Sequence, residues 1–315
     1  MTREFDVVVI GGGLAGLSAA LTSARLGSAT ALLTGGLVGG QLVSIDKIEG
    51  VPGFPEGVPG YDLCPMTQEQ AAAAGVDLIN ASADSLASDN DRWLVTSPEG
   101  DVAARGVVVA TGTTLAKLGV PGEQRLVGKG VSQCASCDGP LLRNRIAVVV
   151  GGGDSGMQEA LTLVDHVARV VLIERGRALT GQRSYRERVN DHPRIEQRFE
   201  TVVHEILGDD VVRAVRIGGA AGGGESELPT DAVFPFPGLV PNIGLVRGVA
   251  ELDPTGRIAV DAGLRTTVRG LCAAGNVRQG SPHRAAGAMG DGAAAATALH
   301  RYLDTGEWRR AEGGG

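Results

Sequence analysis

Five stretches of the chain are apolar at every position and then stop at a glycine or a turn: residues 7–10, 107–110, 147–150, 170–173 and 271–274. A strand with no polar face has to be buried on both sides, so these runs predict strands of a covered sheet. Helical spacing follows two of them, over residues 17–26 and 157–164, and an alanine-rich stretch predicts a third helix from Ala285 to about Leu303. Pro121-Gly122 breaks the chain after the strand at 107–110, Gly218 to Gly224 reads as the tip of a surface hairpin, and Pro235, Pro237 and Pro241 mark another exit. Residues 7–24 are apolar enough to mimic a membrane span, but Gly11, Gly12 and Gly13 divide them into strand, turn and helix.

The turns after two of these strands are alike. Val7-Val8-Val9-Ile10-Gly11-Gly12-Gly13-Leu14-Ala15-Gly16 and Ala147-Val148-Val149-Val150-Gly151-Gly152-Gly153-Asp154-Ser155-Gly156 each read strand, G-x-G-x-x-G, helix, 140 residues apart. Gly11 and Gly151 permit the tight turn, Gly13 and Gly153 let backbone approach a pyrophosphate, and Gly16 and Gly156 allow the helix to pack closely. The helix start then offers unpaired N–H groups to the phosphates. Two such loops imply two dinucleotides, hence an α/β chain with two Rossmann-like, doubly wound domains.

Composition narrows the class. The 49 glycines and 3% aromatics suit tight strand-to-helix turns and small-residue packing, and 315 residues suffice for two domains with real cores. A net charge of -7 with no run of Lys or Arg argues against nucleic acid. No secretory signal precedes the first strand, so a cytoplasmic protein that neither enters nor lies on a membrane is expected. Of four cysteines, two are isolated (Cys64 and Cys272) and two form Cys134-Ala-Ser-Cys137, followed by Asp138. A reducing compartment and one reactive pair fit that usage. A zinc site would need a second pair or suitably spaced histidines, which the chain lacks, so no metal is expected. The isolated cysteines read as packing residues. Asp138 either caps a turn or exchanges the proton that moves when a thiolate leaves. Glu159, on the helix after the second loop, reads as a solvated helix residue.

Taken in order, the motifs resemble the low-molecular-weight thioredoxin reductase family, including the flavoprotein subunit of alkyl hydroperoxide reductase. The matching segments are residues 11–16, 34–41, 110–112, 134–141, 151–156, 238–242 (Gly-Leu-Val-Pro-Asn) and 273–276 (Ala-Ala-Gly-Asn). The resemblance implies an FAD domain over residues 1–115 and 243–315, with an inserted nicotinamide-nucleotide domain over 116–242 that carries the cysteines. FAD would be held by Gly11, Gly13, Gly16, Thr34, Gly35, Gly39, Gly40, Gln41, Thr111, Gly112, Asn276, Arg284, Ala285 and Ala286. Gly151, Gly153, Asp154, Ser155, Gly156, Glu174, Arg175 and Gly238 would hold the nicotinamide dinucleotide. Also implied are a homodimer, a large rotation between domains, Cys137 as the sulfur nearer the flavin, and Asp138 as proton donor to the leaving thiolate.

Three departures stand out. Asn276 replaces an acid, and His283-Arg284-Ala285 replaces Tyr-Arg-Gln or Tyr-Lys-Gln near the flavin, leaving His283 as an acid catalyst or a spacer. Glu174-Arg175-Gly176-Arg177 stands where NADP-using members have a His-Arg-Arg cluster. Glu174 lies 23 residues past Gly151, close to where an acid bonds a ribose 2′-hydroxyl and repels a 2′-phosphate, which favours NADH over NADPH. The expected activity is an FAD-dependent NAD(P)H:disulfide oxidoreductase reducing a small thioredoxin- or glutaredoxin-like protein, a separate carrier because the chain has no thioredoxin-like domain at its start. The alternatives are a flavin-dependent dithiol or NADH oxidase using oxygen, and a redox sensor or binding module with a drifted nicotinamide site.

Overall fold

The computed structural model describes residues 2–89 and 91–308. The chain divides into two compact units: Met1–Thr114 with Pro241–Gly315, and Leu115–Val240. The first unit runs β1 (Arg3–Ile10), α1 (Leu14–Arg25), β2 (Thr30–Leu33), α2 (Gly60–Ala73), β3 (Asp77–Ile79), β4 (Ser85–Asp89), β5 (Arg92–Thr96) and β6 (Val102–Val109). After the crossing strand β7 (Thr113–Leu115), the second unit holds α3 (Ala135–Asp138), β8 (Ile146–Val150), α4 (Asp154–Leu163), β9 (Arg169–Ile173), α5 (Arg183–Asp191) and β10 (Ile195–Arg198). It continues with β11 (Thr201–Leu207), β12 (Ala214–Gly219), β13 (Ser226–Pro229) and β14 (Ala232–Pro235). β15 (Leu239–Pro241) leads back to β16 (Leu271–Ala273) and α6 (Ala285–Thr305). Pro241 and Asn242, expected in the inserted domain, therefore belong to the first unit, and Leu115 belongs to the second. Asn242 N–H donates to Gly112 O at 3.0 Å, which ties the returning chain to the first unit.

In the first unit, β3, β2, β1, β6 and β16 lie parallel, while on the side of β6 away from β1, β5 runs antiparallel to β6 and β4 antiparallel to β5. One edge of β6 serves two partners: Val102 to Ala104 pair with β5, and Val107 to Val109 pair with β16. β1 shows why its run is continuously apolar. Val7 and Val9 face a cluster with Leu17, Ala20, Ala295 and Leu299 from α1 and α6, and Val8 and Ile10 face one with Trp93, Val95, Val246 and Ile258. The second unit repeats the scheme with β10, β9, β8 and β14 all parallel. Ala147 and Val149 face the α4 and α5 side, whereas Val148 and Val150 face the antiparallel meander β11–β12–β13. The hairpin expected at Gly218 to Gly224 is the β12–β13 connection. Among the described residues, no helix is long and apolar enough to cross a membrane.

Both helices after the glycine loops begin three residues earlier than their apolar spacing predicts, at Leu14 and Asp154, because the last loop residues already form the first turn. Small residues let α1 and α6 approach closely. A Cβ on Gly292 would stand 2.2 Å from Ala15 O and 2.7 Å from Ala19 N, both backbone atoms that cannot yield. Gly290 on the same helix has no atom within 4 Å of its Cβ position. Gly292→Ala is therefore expected to destabilise the protein by about 2–3 kcal/mol through overpacking. Gly290→Ala should stabilise it by about 0.5–1 kcal/mol. Denaturant unfolding of the two variants checks both signs.

Candidate active site

The two glycine loops are superimposable in their constraints. Gly11 and Gly151 both have φ +119°, and a Cβ on them would lie 2.3 Å from Ala110 O and 2.2 Å from Phe236 O respectively. At Gly16 and Gly156 the added carbon would meet Gly11 O at 1.8 Å and Gly151 O at 1.9 Å. Gly13 and Gly153, the N-caps of α1 and α4, have nothing within 4 Å of the Cβ position and carry no side-chain cap. Each helix thus starts with a bare face in front of its first N–H groups, the arrangement that accepts a phosphate.

In the first unit this face opens into a cavity of about 690 Å³. Gly11, Gly13, Thr34, Gly35, Gly39, Gly40, Gln41, Thr111, Gly112, Asn276, Arg284 and Ala285 all line it. Gly16 stands behind the loop as a packing position, and Ala286 is not on the lining, because the helical turn brings Ala288 there instead. Asn242 lines the cavity too. Its Nδ2 donates to Thr111 O at 2.9 Å, and its own carbonyl accepts the Thr111 hydroxyl at 2.7 Å. On the other wall, Gln41 Nε2 donates to Thr113 O at 2.5 Å. A long, mostly apolar cleft with an open phosphate end and polar groups beyond it fits a flavin dinucleotide.

Behind Gly275 and Asn276, which line this cavity, lies a charged cluster. Asp291, 8% exposed, accepts Gly275 N–H at 3.0 Å and holds Arg278 through two bonds of 2.7 and 2.6 Å. Asn276 Oδ1 accepts the Ser281 hydroxyl at 3.1 Å, and Arg257 donates to the Asn276 carbonyl. His283 sits on the lining with φ +53°. Desolvation, reinforced by the guanidiniums of Arg257, Arg284 and Arg278, lowers its pKa below the ordinary imidazole value. It therefore stays neutral at pH 7.

In the second unit the loop is braced by two acids. Glu174 accepts Gly152 N–H at 2.6 Å and Gly176 N–H at 2.7 Å, and Asp154 accepts Gln182 N–H at 2.6 Å. Ser155 and Gly156 lie in the first turn of α4, Arg175 is exposed beside the Glu174 turn, and Gly238 follows the Phe236 carbonyl that packs on Gly151. Cys134 and Cys137 form a disulfide across α3, with Cys134 at the N-cap and Asp138 in its only turn. Cys134 Sγ accepts Cys137 N–H at 3.2 Å. Glu159 is not a solvated helix residue, since its Oε2 accepts Ala135 N–H at 2.7 Å. Sequence offered no signal for that bond, which depends on how α3 lies against α4.

The remaining cysteines are buried. Burial pushes the Cys64 thiol up to about 11, and desolvation together with the nearby Asp261 carboxylate raises Cys272 further, against a smaller lowering by Arg265. Among the described residues no cluster of three or more His, Cys, Asp or Glu is placed to hold a metal.

Two dinucleotide loops and a disulfide beside the second define a pyridine-nucleotide-linked disulfide oxidoreductase. Comparison with known proteins agrees. The family model described as pyridine nucleotide-disulphide oxidoreductase matches residues 5–292. Thioredoxin reductase from Treponema pallidum (strain Nichols) is 37% identical over 97% of this chain and 99% of its own length. That of Mycolicibacterium smegmatis is 36% identical over 95% of this chain and 96% of its own. Among solved structures, Lactococcus lactis thioredoxin reductase in its FR conformation matches with a TM-score of 0.91 and 32% identity, covering 95% of this chain and 99% of that one. The chain belongs to the low-molecular-weight thioredoxin reductase family.

Two outcomes follow from this geometry. Gly16→Ala forces a Cβ onto Gly11 O and should abolish flavin retention on purification, whereas Gly156→Ala should keep the flavin and lose its reduction by nicotinamide nucleotide. Visible absorbance before and after anaerobic nucleotide addition reads both. In the folded, oxidised protein, thiol labelling near pH 8 should find Cys64 and Cys272 unreactive, since raised pKa values leave almost no thiolate. Reduction should expose two fast-reacting thiols, counted by mass.

Proposed function

We propose that this protein is an FAD-dependent reductase that takes hydride from NADH and passes the electrons through Cys134–Cys137 to the disulfide of a small thioredoxin-like protein. One observation carries the reading: the disulfide sits on the unit that holds one dinucleotide loop, while the other loop opens into the dinucleotide-sized cavity of the other unit. Bound FAD supplies the two-electron carrier between a hydride donor and a disulfide. Gly13 and the first turn of α1 hold its pyrophosphate, Thr34 and Gly35 the nucleotide end, and Gln41, Asn242, Asn276 and Arg284 the opposite end. Asp138 gives a proton to the thiolate that leaves when the disulfide opens. The family resemblance supports a homodimer in the cytoplasm, with a thioredoxin favoured over a glutaredoxin as carrier. Both loops keep the same unobstructed geometry, which supports turnover over a drifted sensor, and nothing in the site favours oxygen as the acceptor.

The choice of NADH rests on Glu174. Its carboxylate lies under the second loop, held by Gly152 and Gly176 N–H, and repels a 2′-phosphate placed at the end of β9. Arg177 and Arg183 line a cavity of about 590 Å³ just beyond, but Arg177 pairs with Glu200 and Arg183 with Glu187.

Anaerobic flavin reduction by the two nucleotides in parallel should give NADH a kcat/KM at least about tenfold above NADPH. Parity or an NADPH preference would overturn the NADH assignment alone. Cys134→Ser should leave flavin reduction by NADH intact and abolish NADH-dependent reduction of thioredoxin. If that variant instead reduces thioredoxin at the wild-type rate, the dithiol route is wrong.

A further inference from the structure

α4 serves two sites. Its first turn stands at the second glycine loop, and one turn later Glu159 reaches α3, where Oε2 accepts Ala135 N–H at 2.7 Å. Ala135 is 1% exposed, so water does not compete for that donor. Cys134 occupies the neighbouring place on the same helix start. Its Sγ accepts Cys137 N–H at 3.2 Å, and its own N–H donates to Ser132 Oγ at 3.1 Å. A carboxylate and a cysteine sulfur therefore share the first turn of α3.

While the disulfide is intact, the Cys134 sulfur carries no charge. Reduction breaks the S–S bond: two electrons enter, Cys137 sulfur takes one proton, and Cys134 sulfur either keeps its charge as thiolate or takes a second proton. A carboxylate held on the N–H of the residue next to Cys134 opposes the charged form and so disfavours the reduced pair. We propose that Glu159 is a positioning residue that fixes the redox helix through Ala135 N–H and whose negative charge makes the Cys134–Cys137 pair a stronger reductant. This role rests on the pair being redox-active. Asp138, on α3 itself, and His166, whose ring lies against Gly139 from the turn after α4, are ionisable groups beside the motif. Both remain in place when Glu159 is changed, so a change in potential reports Glu159.

The test is the midpoint potential of the pair in the full-length holoprotein, read by thiol labelling in dithiothreitol redox buffers at about pH 6 and about pH 9, on either side of an ordinary thiol pKa. Glu159→Gln keeps an acceptor for Ala135 N–H and removes the charge. It should favour the dithiol by about tenfold at the higher pH, a rise of about 30 mV for the two-electron couple. Near pH 6, where both thiols are protonated, it should match wild type. Glu159→Ala, which also removes the acceptor, should show the same rise. Equal potentials for wild type and Glu159→Gln at the higher pH overturn the proposal, as does a shift confined to Glu159→Ala. A wild-type pair that never titrates against dithiothreitol would instead sink the reductase reading itself.

Discussion

Everything in this molecule depends on backbone meeting backbone where a side chain would ordinarily intervene. Gly16 sits with its α-carbon so close to Gly11 O that an added carbon would lie 1.8 Å away, and Gly156 repeats the contact on Gly151 O at 1.9 Å. These contacts pull each helix start down onto its strand and leave Gly13 and Gly153 facing open space. The phosphate site is thus a by-product of missing side chains. The same economy appears at Gly292, where α6 rests on the α1 backbone at Ala15 and Ala19. A chain with 49 glycines and few aromatics is built to make this kind of contact.

Turns this tight strand their own N–H groups, and carboxylates collect them. Glu174 takes two around the second loop, Asp291 takes Gly275 N–H, and Glu123, 7% exposed, takes Leu118 and Gly119 N–H at 2.9 and 2.8 Å. Charge-assisted bonds of this kind are worth more than neutral ones. Glu174 therefore has two consequences from one placement: it stiffens the loop and sets the sign of the field next to it. Asp291 shows the same economy at the flavin cavity. Behind the lining it takes Gly275 N–H and pairs with Arg278.

How much of this was legible in the sequence follows from the range of the forces involved. The glycine loops and the strand runs are local patterns, and the structure places them on the elements that their periodicity predicts, whereas the short helix under the cysteine pair had no periodicity to announce it. Asn242 was assigned to the wrong unit because a Pro-rich exit reads as a boundary, while the chain commits to the first unit only through the bonds of Asn242 to Thr111 and Gly112. Ala286, which the family resemblance places at the flavin, is off the cavity lining, where the same helix presents Ala285 and Ala288. Glu159 was legible only as a charge on a helix, because its partner Ala135 is 24 residues away in sequence.

The four cysteines show how environment separates chemistry from packing in a single residue type. Cys64 and Cys272 lie among apolar side chains, where desolvation holds the thiol protonated and leaves it without a leaving-group or nucleophile role. Cys134 caps a one-turn helix and Cys137 lies within it, exposed, with its N–H donated to Cys134 Sγ. Donors at that turn favour a thiolate, and a carboxylate at the same turn opposes it. A dithiol that must hand its electrons on gains from that opposition: a thiolate stabilised too well would make the reduced pair a poor donor. Under the role proposed for Glu159, the balance between N–H donors and carboxylate at the start of α3 sets how readily the reduced pair gives up its electrons.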